Sequence, residues 1–204
     1  GGEDEEPTEN PNASKPRYIW IDAAANFPDF ANSKENIARD LALAKDAGFT
    51  DIVVDVRPTT GDVLFKTNLV DQVKFMYAWI GSNYTKVERT ATWDYLQAFV
   101  DEARKQGLRI HAAINTFVGG NQIDGGTGLL YRDQSKAEWA TQMNMQVGIT
   151  SVMNTSESTK FFNPAHPEVQ TFLCDLLKDL AGYDLDGIFL DRGRFLNLQA
   201  DFSE

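Results

Sequence analysis

The feature that most constrains the fold is a unit that occurs three times: an amphipathic helical pattern, a glycine and a short, continuous apolar run. Within each pattern the apolar residues are spaced i, i+3, i+4, i+7, as on one face of a helix. The glycines are Gly48, Gly107 and Gly182, and each is predicted to end its helix in the left-handed conformation. Three helix–strand joints of the same kind indicate a repeated α/β unit.

The starts of these helices carry their own signals. Asn32 or Ser33 is predicted to cap the first helix and Thr92 the second, because both residue types accept a hydrogen bond from a free N–H of the first turn. The third helix is predicted to start at Pro167, where the missing N–H does no harm.

A fourth apolar run precedes the first helix, so the sequence predicts four strands. Each run is continuous rather than alternating, as is typical of parallel strands covered on both faces. The predicted strands are residues 18–21, 52–56, 110–114 and 188–190. The order β-α-β-α-β-α-β predicts a parallel sheet with right-handed crossovers.

Two long connections, 57–91 and 115–166, follow the second and third strands. The first strand is not followed by the Gly-rich phosphate turn of a doubly wound sheet. The pattern therefore favours a (β/α)8 TIM barrel, of which this chain covers about the first four β/α units. Such a barrel usually needs about 250 residues, so we expect the C-terminal half from further chain. The alternative is a sheet that closes by association of two copies.

The first sixteen residues contain five acidic residues, three prolines and no large apolar residue. They are predicted to form a disordered acidic tail, with residues 17–204 forming the half barrel. The tail resembles the tether behind the lipidated cysteine of surface lipoproteins in some Gram-negative bacteria; the alternative is a cloning remnant plus a disordered tail. A secreted, periplasmic or cell-surface location is expected, with lipid anchoring through a removed cysteine.

Charge and composition exclude several partners. The net charge of −11 argues against nucleic acid and against anionic lipid surfaces. No stretch approaches the roughly 20 apolar residues of a membrane span. The single cysteine, Cys174, is predicted to be a buried structural thiol. No Cys/His cluster has zinc spacing, and neither a metal nor a cofactor is predicted.

Polar side chains stand at the predicted C-terminal ends of all four strands, which share one rim in a barrel. They are Asp22 and Asn26, Asp55 and Arg57, Asn115, and Asp191, Arg192 and Arg194. His111 lies within the third strand and is predicted to make a structural hydrogen bond rather than act as a base. His166 is predicted to be a neighbour of a helix cap.

Glycoside hydrolysis needs one carboxylic acid and one carboxylate, and Asp191 is the predicted catalytic carboxylate. Arg194 is predicted to hold its charge and lower its pKa. Asp55 and Arg57 are two residues apart on a strand and so are expected on one side of it. With Asp22, Asn115 and Arg194, Asp55 and Arg57 are predicted to bind substrate. The alternative is that the Asp–Arg pairs are purely structural.

Aromatic residues make up 11% of the chain, and many fall in the long connections. Because the C–H faces of sugar rings stack on aromatic side chains, a minority of these residues is expected to form platforms for a neutral carbohydrate.

Four segments resemble the bacterial glycosyl-hydrolase-like family 10 proteins, a TIM-barrel group. They are D-I-V-V-D-V-R-P at 51–58, G-L-R-I-H-A-A-I-N at 107–115, N-P-A-H-P-E-V at 163–169 and Y-D-L-D-G-I-F-L-D-R-G-R-F at 183–195. Two details depart from the family pattern. Ala113 replaces a tryptophan, and Arg192 follows Asp191 where many members carry Asp-Tyr or Asp-Asp.

The resemblance implies a secreted or surface hydrolase acting on a polysaccharide or oligosaccharide. Asp191 carries over as a catalytic residue, and its partner is expected on a later strand, beyond residue 204. A non-catalytic carbohydrate-binding protein that uses the same cleft is the alternative from another functional class.

Overall fold

The computed structural model describes residues 15–191, which form an α/β fold. In chain order, the strands are β1 (Tyr18–Ile21), β2 (Asp51–Arg57), β3 (Phe75–Ile80), β4 (Asn83–Glu88), β5 (Arg109–Asn115), β6 (Val118–Asn121), β7 (Gln142–Met145), β8 (Gly148–Ser151), β9 (Thr159–Phe161) and β10 (Gly187–Asp191). The helices are α1 (Phe27–Phe30), α2 (Lys34–Asp46), α3 (Tyr95–Gln106), α4 (Leu129–Arg132) and α5 (Pro167–Leu180).

A four-stranded sheet in the spatial order β1-β2-β5-β10 forms the centre of the molecule. All three pairings between these strands are parallel, so the prediction of four parallel strands is confirmed. The other six strands form three antiparallel pairs: the hairpins β3–β4 and β7–β8, and β6 with β9, which are separated along the chain by β7–β8. All three lie in the two long connections, which the sequence analysis had left without structure.

The helices begin where a side chain can accept a hydrogen bond from the first turn. Ser33 Oγ accepts from the N–H of Asn36 at 3.1 Å at the start of α2, as predicted. The prediction of Thr92 is wrong, because Asp94 Oδ1 accepts from the N–H of Gln97 at 3.2 Å and α3 begins two residues later.

The last helix starts as predicted, with Pro167 in its first turn. His166 is its N-cap: the imidazole Nδ1 accepts from the N–H of Glu168 at 3.1 Å. This assigns His166 a structural role at the start of α5.

Two of the three predicted helix stops are confirmed. Gly48 and Gly107 have φ of 89° and 68°, in the left-handed region that favours glycine. Gly182 does not have a positive φ. Instead, α5 ends at Leu180 with Ala181 as its C-cap, and the N–H of Ala181 donates to the carbonyl of Leu177 at 2.8 Å.

One face of the sheet is a buried core shared with the helices. Alternate residues of β2 and β5, such as Ile52, Val54, Ile110 and Ala112, are fully buried against α2, α3 and α5. The prediction that Cys174 is buried in this core is wrong. Its side chain lies on the solvent side of α5 and is exposed, because the apolar stripe of that helix runs through other positions.

The opposite face of the sheet carries an aromatic cluster around His111. The ring centroids of Trp20 and Phe189 are 5.5 Å apart, and those of His111 and Phe189 are also 5.5 Å apart. Trp20 is 51% exposed and Phe189 37%. This face is therefore apolar and open, unlike the helix-covered face.

Asp51 holds the His111 side chain near the N-terminal end of β2, on the same face of the sheet. His111 Nε2 lies 2.6 Å from Asp51 Oδ2, and both side chains are buried. Burial alone would raise the pKa of Asp51. The hydrogen bonds from Thr50 and His111 have the larger combined effect with the nearby positive charge, so the pKa lies below its ordinary value. His111 thus makes the structural hydrogen bond that was predicted.

None of the helices within residues 15–191 is long and apolar enough to cross a bilayer.

Candidate active site

A cavity of about 100 Å³ opens at the C-terminal edge of the parallel sheet. Its lining consists of Trp20, Ile21, Asp22, Asp55, Ala113, Ile114, Asn115 and Asp191. Four of the residues predicted from the sequence thus meet in one place: Asp22, Asp55, Asn115 and Asp191. They come from four different strands or strand ends, so the parallel topology is what gathers them.

The strand register explains why these side chains meet. Asp191 pairs with Asn115 across β10 and β5, and Asp55 pairs with Ala113 across β2 and β5. Asp22 follows β1 directly, and its Oδ1 accepts from the N–H of Ala25 at 2.7 Å, which fixes the turn after the strand. Side chains of paired residues in register lie on the same face of a sheet.

The end of β10 is tied to β5 by its main chain. The carbonyl oxygen of Asp191 accepts from the N–H of Thr116 at 3.1 Å and from its hydroxyl at 3.2 Å. The Asp191 carboxylate itself is exposed at the mouth of the cavity. It is therefore free to contact a ligand while its backbone stays fixed.

Asp55 is the half-buried carboxyl group of the cavity. Burial, together with the negative charges of Asp22 and Asp191, raises its pKa to about 7. The backbone N–H of Arg57, which donates to Asp55 Oδ1 at 3.1 Å, offsets only part of this rise. At neutral pH, Asp55 is thus partly protonated and can donate as well as accept a hydrogen bond.

Tyr95 was missed by the sequence analysis. Its side chain is buried, and its hydroxyl has no hydrogen-bond partner among residues 15–191. Burial and the charge of Asp55 both raise the pKa of Tyr95, so the phenol is neutral. The sequence indicates that Tyr95 lies at the start of α3 and so near one edge of the sheet. The distance along the chain between Tyr95 and Asp55 does not predict that their side chains lie close together.

The structure corrects the predicted position of Arg57. The pairing of β2 with β5 shifts register between Asp55 and Arg57, so that Arg57 lies opposite Ile114. An extra residue in one strand breaks the two-residue alternation of side chains. Asp55 therefore faces the cavity, whereas Arg57 does not line it and is fully buried.

The Arg57 guanidinium anchors the chain that follows β5. Its Nη1 donates to the carbonyl oxygens of Asn115 at 2.6 Å and Thr116 at 3.1 Å, and its Nη2 donates to that of Val118. In return, Asn115 Nδ2 donates to the carbonyl of Arg57 at 2.8 Å. Burial lowers the pKa of Arg57 to about 10, which leaves it charged at neutral pH. Arg57 thus positions Asn115.

Arg192 and Arg194 lie outside the described residues. Asn26 is a turn residue: its Nδ2 donates to the carbonyl of Asp22 at 3.1 Å. Within residues 15–191, no group of three or more His, Cys, Asp and Glu side chains is arranged to hold a metal ion.

Comparison with known proteins identifies relatives by sequence. Residues 15–199 match the family described as glycosyl hydrolase-like 10. An S-layer-related protein of Niallia circulans is 31% identical over 199 residues. The alignment covers 95% of this chain and 12% of that protein, so the chain spans about one eighth of the length of its curated relative.

Solved structures share the fold at low sequence identity. A hypothetical protein from Ruminiclostridium thermocellum has a TM-score of 0.56 at 15% identity, covering 91% of this chain and 80% of that one. Alpha-L-fucosidase isoenzyme 2 from Paenibacillus thiaminolyticus also has a TM-score of 0.56, at 17% identity, covering 87% and 23%. An alpha-amylase from Lactobacillus plantarum has a TM-score of 0.51 at 16% identity, covering 88% and 38%. At these identities the likeness concerns the fold alone.

The family match runs from before β1 to beyond β10 and so includes the whole parallel sheet and every residue of the cavity. This chain belongs to the glycosyl hydrolase-like 10 family.

Proposed function

We propose that this chain is part of a glycoside hydrolase that cleaves a polysaccharide or oligosaccharide, with Asp191 as a catalytic carboxylate. The observation that carries the proposal is the cavity at the C-terminal edge of four parallel strands, where Asp22, Asp55 and Asp191 meet. Active sites of (β/α)8 enzymes lie at this edge, and the family and several neighbours by fold are named for glycoside hydrolysis.

The roles follow from the surroundings of each group. Asp191 is exposed and acts on the glycosidic bond, either as nucleophile or as proton-transfer group. Asp55 is partly protonated near neutral pH and donates a hydrogen bond to a sugar hydroxyl. Asp22 and Asn115 bind neighbouring hydroxyls. The second carboxyl of the catalytic pair comes from a later strand of the barrel.

The open aromatic face supports a (β/α)8 barrel that extends beyond the described residues. Trp20 and Phe189 leave a large apolar area in water, although such rings are usually covered. Additional strands that continue from β1 and β10 would cover this face and pair with both edges of the sheet. The chain's share of its curated relative, 12%, is consistent with a domain within a much longer protein.

A secreted or cell-surface location is part of the proposal, since the curated relative is an S-layer-related protein. Structural polysaccharides of cell envelopes or of the surroundings would be accessible there.

The test is turnover of a polysaccharide panel by the full-length protein, compared with the variants Asp191→Asn and Asp46→Asn. Loss of a positioned acid–base group costs about 10²–10⁴-fold in rate, so Asp191→Asn is expected to lose activity to that extent. Asp46, an exposed carboxylate on α2, serves as the matched control and is expected to leave the rate unchanged.

Two results would speak against the proposal. Full activity of the Asp191→Asn variant would remove Asp191 from the mechanism. Binding of a polysaccharide by the wild type without any turnover would favour the non-catalytic carbohydrate-binding alternative.

A further inference from the structure

A second, larger cleft lies beside the proposed active site. Its volume is about 550 Å³, within the range of about 300–1,000 Å³ that is typical of ligand pockets. The lining consists of Ala24, Thr59, Thr60, Phe75, Met76, Tyr77, Tyr84, Asn121, Gln122, Ile123 and Ser158. We call it the hairpin cleft, because strands β3 and β4 form one wall. It shares no lining residue with the cavity around Asp191.

One wall of the hairpin cleft is a row of aromatic rings. The rings of Tyr77 and Tyr84 are stacked, with centroids 5.4 Å apart and planes at 29°. Phe75 meets Tyr77 edge-on at 6.0 Å, and Trp79, which does not line the cleft, extends the row by packing on Tyr84 at 5.2 Å. Tyr84 is 58% exposed and Trp79 68%. A contiguous exposed apolar surface of this kind often marks a site where a ligand or another molecule binds.

The facing wall is polar and uncharged. It carries hydroxyl groups of Thr59, Thr60 and Ser158 and amide groups of Asn121 and Gln122. No lysine, arginine, aspartate or glutamate is among the lining residues, and the charged residues that contact the aromatic wall, Lys86 and Asp124, pair with each other. A wall of rings opposite a wall of hydroxyl and amide groups suits a ligand with an apolar C–H face and many neutral hydroxyls.

The aromatic wall is held in place by a contact with the loop that follows β6. The Tyr77 hydroxyl donates to Asp124 Oδ1 at 3.0 Å, and Lys86 Nζ lies 3.0 Å from Asp124 Oδ2. Asp124 has a φ of 51°, a conformation that is uncommon for a residue other than glycine. Because this contact bridges the two walls, the cleft exists before a ligand binds, and the cost of ordering it is low.

The hairpin cleft and the cavity around Asp191 open on the same edge of the sheet. Ala24 follows Asp22 by two residues, and Thr59 follows Arg57 by two. The two sites thus adjoin along the chain at this edge, where a polymer would have to extend beyond the hairpin cleft to reach Asp191.

We propose that the hairpin cleft is a subsite for a neutral polysaccharide, which stacks its pyranose rings on Tyr84 and Tyr77 and presents a chain to Asp191. This inference rests on the proposed carbohydrate-directed function and adds the substrate class: an uncharged polymer rather than a short or acidic sugar. The C–H groups of a pyranose face carry partial positive charge and meet the negative face of an aromatic ring.

The test is affinity electrophoresis of the full-length protein in gels that contain neutral polysaccharides (β-glucan, xylan or α-glucan) or acidic ones (polygalacturonate). We expect retardation by at least one neutral polymer. Tyr84→Ala should raise its dissociation constant about tenfold, and Gln122→Ala on the facing wall should raise it too. Tyr84→Phe keeps the ring and should bind like the wild type.

Ile149→Ala is the matched surface control, because Ile149 is an exposed apolar residue on the separate hairpin β7–β8. Three results would overturn the subsite: unchanged binding in Tyr84→Ala, equal weakening in Ile149→Ala, or no retardation of the wild type by any neutral polymer.

Asp191→Asn separates this proposal from the proposed function. If that variant loses turnover while Tyr84→Ala binds normally, the hydrolase stands and the subsite fails. If Tyr84→Ala loses binding in a protein that never turns over, the subsite stands and the hydrolase fails.

Discussion

The pKa of Asp55 gives a stability prediction that can be worked out in full. An unfolded chain ionises this carboxyl near its ordinary pKa of about 3.9, whereas burial and the charges of Asp22 and Asp191 raise its pKa in the folded protein to about 7. The folded state therefore holds the proton more tightly. Stability is lost as pH rises from about 4 to about 7, and the full penalty applies above that window.

The size of the effect follows from the two pKa values. Linkage predicts that ionisation of Asp55 costs the folded state about 1.5 kcal/mol at pH 5 and about 4 kcal/mol at pH 8. Because the side chain is half-buried, solvent screening reduces these figures to about half. The difference between the two pH values is then about 1.3 kcal/mol, so the uncharged variant Asp55→Asn is expected to gain about that much relative to the wild type between pH 5 and pH 8.

Urea unfolding at the two pH values measures this difference, provided that the m-value is the same for both proteins. Asp46→Asn, on the exposed side of α2, is the matched control for the loss of a carboxylate elsewhere on the surface. Asp191→Asn should shift the pH window downward, because it removes one of the charges that raise the pKa of Asp55. A stability difference between Asp55→Asn and the wild type that is equal at pH 5 and pH 8 would refute the reasoning.

Three further predictions concern the scaffold. Arg57→Met should lower the free energy of unfolding by about 1–3 kcal/mol for each of the three carbonyl oxygens that lose their donor. A smaller urea shift than that of a surface Arg→Met variant would contradict the anchor role. Gly128→Ala should destabilise the protein far more than Gly125→Ala. Both glycines have φ near 80°, but only at Gly128 would a Cβ come within 2.6 Å of a backbone atom, Gly120 Cα. Equal thermal midpoints of the two variants would disprove the close approach. Cys174 should react with a thiol reagent in the folded protein, and a reaction seen only in denaturant would show that it is buried after all.

The parallel sheet could be predicted because its signal is local and repeated. In each unit, the end of the helix, the glycine that follows it and the next apolar run lie within about ten residues of one another. The glycines Gly48 and Gly107 mark two of these joints. Right-handed crossover connections then leave few possible topologies. The meeting of Asp22, Asp55, Asn115 and Asp191 follows from that topology, since parallel strands bring their carboxyl ends to one edge.

The hairpins of the long connections were missed, although one of them has a readable signal. Residues 75–80 alternate between half-buried or exposed rings and buried Met76 and Ala78, and Gly81 with Ser82 forms the turn before β4. Alternation followed by a short glycine turn predicts a hairpin. The other two strand pairs, β6–β9 and β7–β8, contain strands of three or four residues, which are too short for periodicity to detect.

The cap and the thiol were mispredicted for different physical reasons. Thr92 and Asp94 are both good caps, and local preference cannot choose between them; packing of Tyr95 into the core fixes the start of α3. Cys174 follows the buried Leu173 directly in the sequence. Each residue of an α-helix is rotated by about 100° from the one before it, so the Cys174 side chain points away from the apolar face. Neighbouring apolar residues in sequence therefore do not guarantee burial on a helix.

The register shift at the end of β2 connects the scaffold to the chemistry. Without it, Asp55 and Arg57 would face the same side, and the guanidinium would neutralise the carboxylate and keep its pKa low. With the shift, Arg57 donates its hydrogen bonds to carbonyl groups of the chain at and after the end of β5. The carboxyl group of Asp55 then has the negative charges of Asp22 and Asp191 nearby, which help to raise its pKa. A single irregularity in strand pairing thus both fixes Asn115 at the cavity and leaves beside Asp191 a carboxyl group with a raised pKa. The spacing of residues in the sequence does not reveal such an irregularity, because it depends on how β2 and β5 pair.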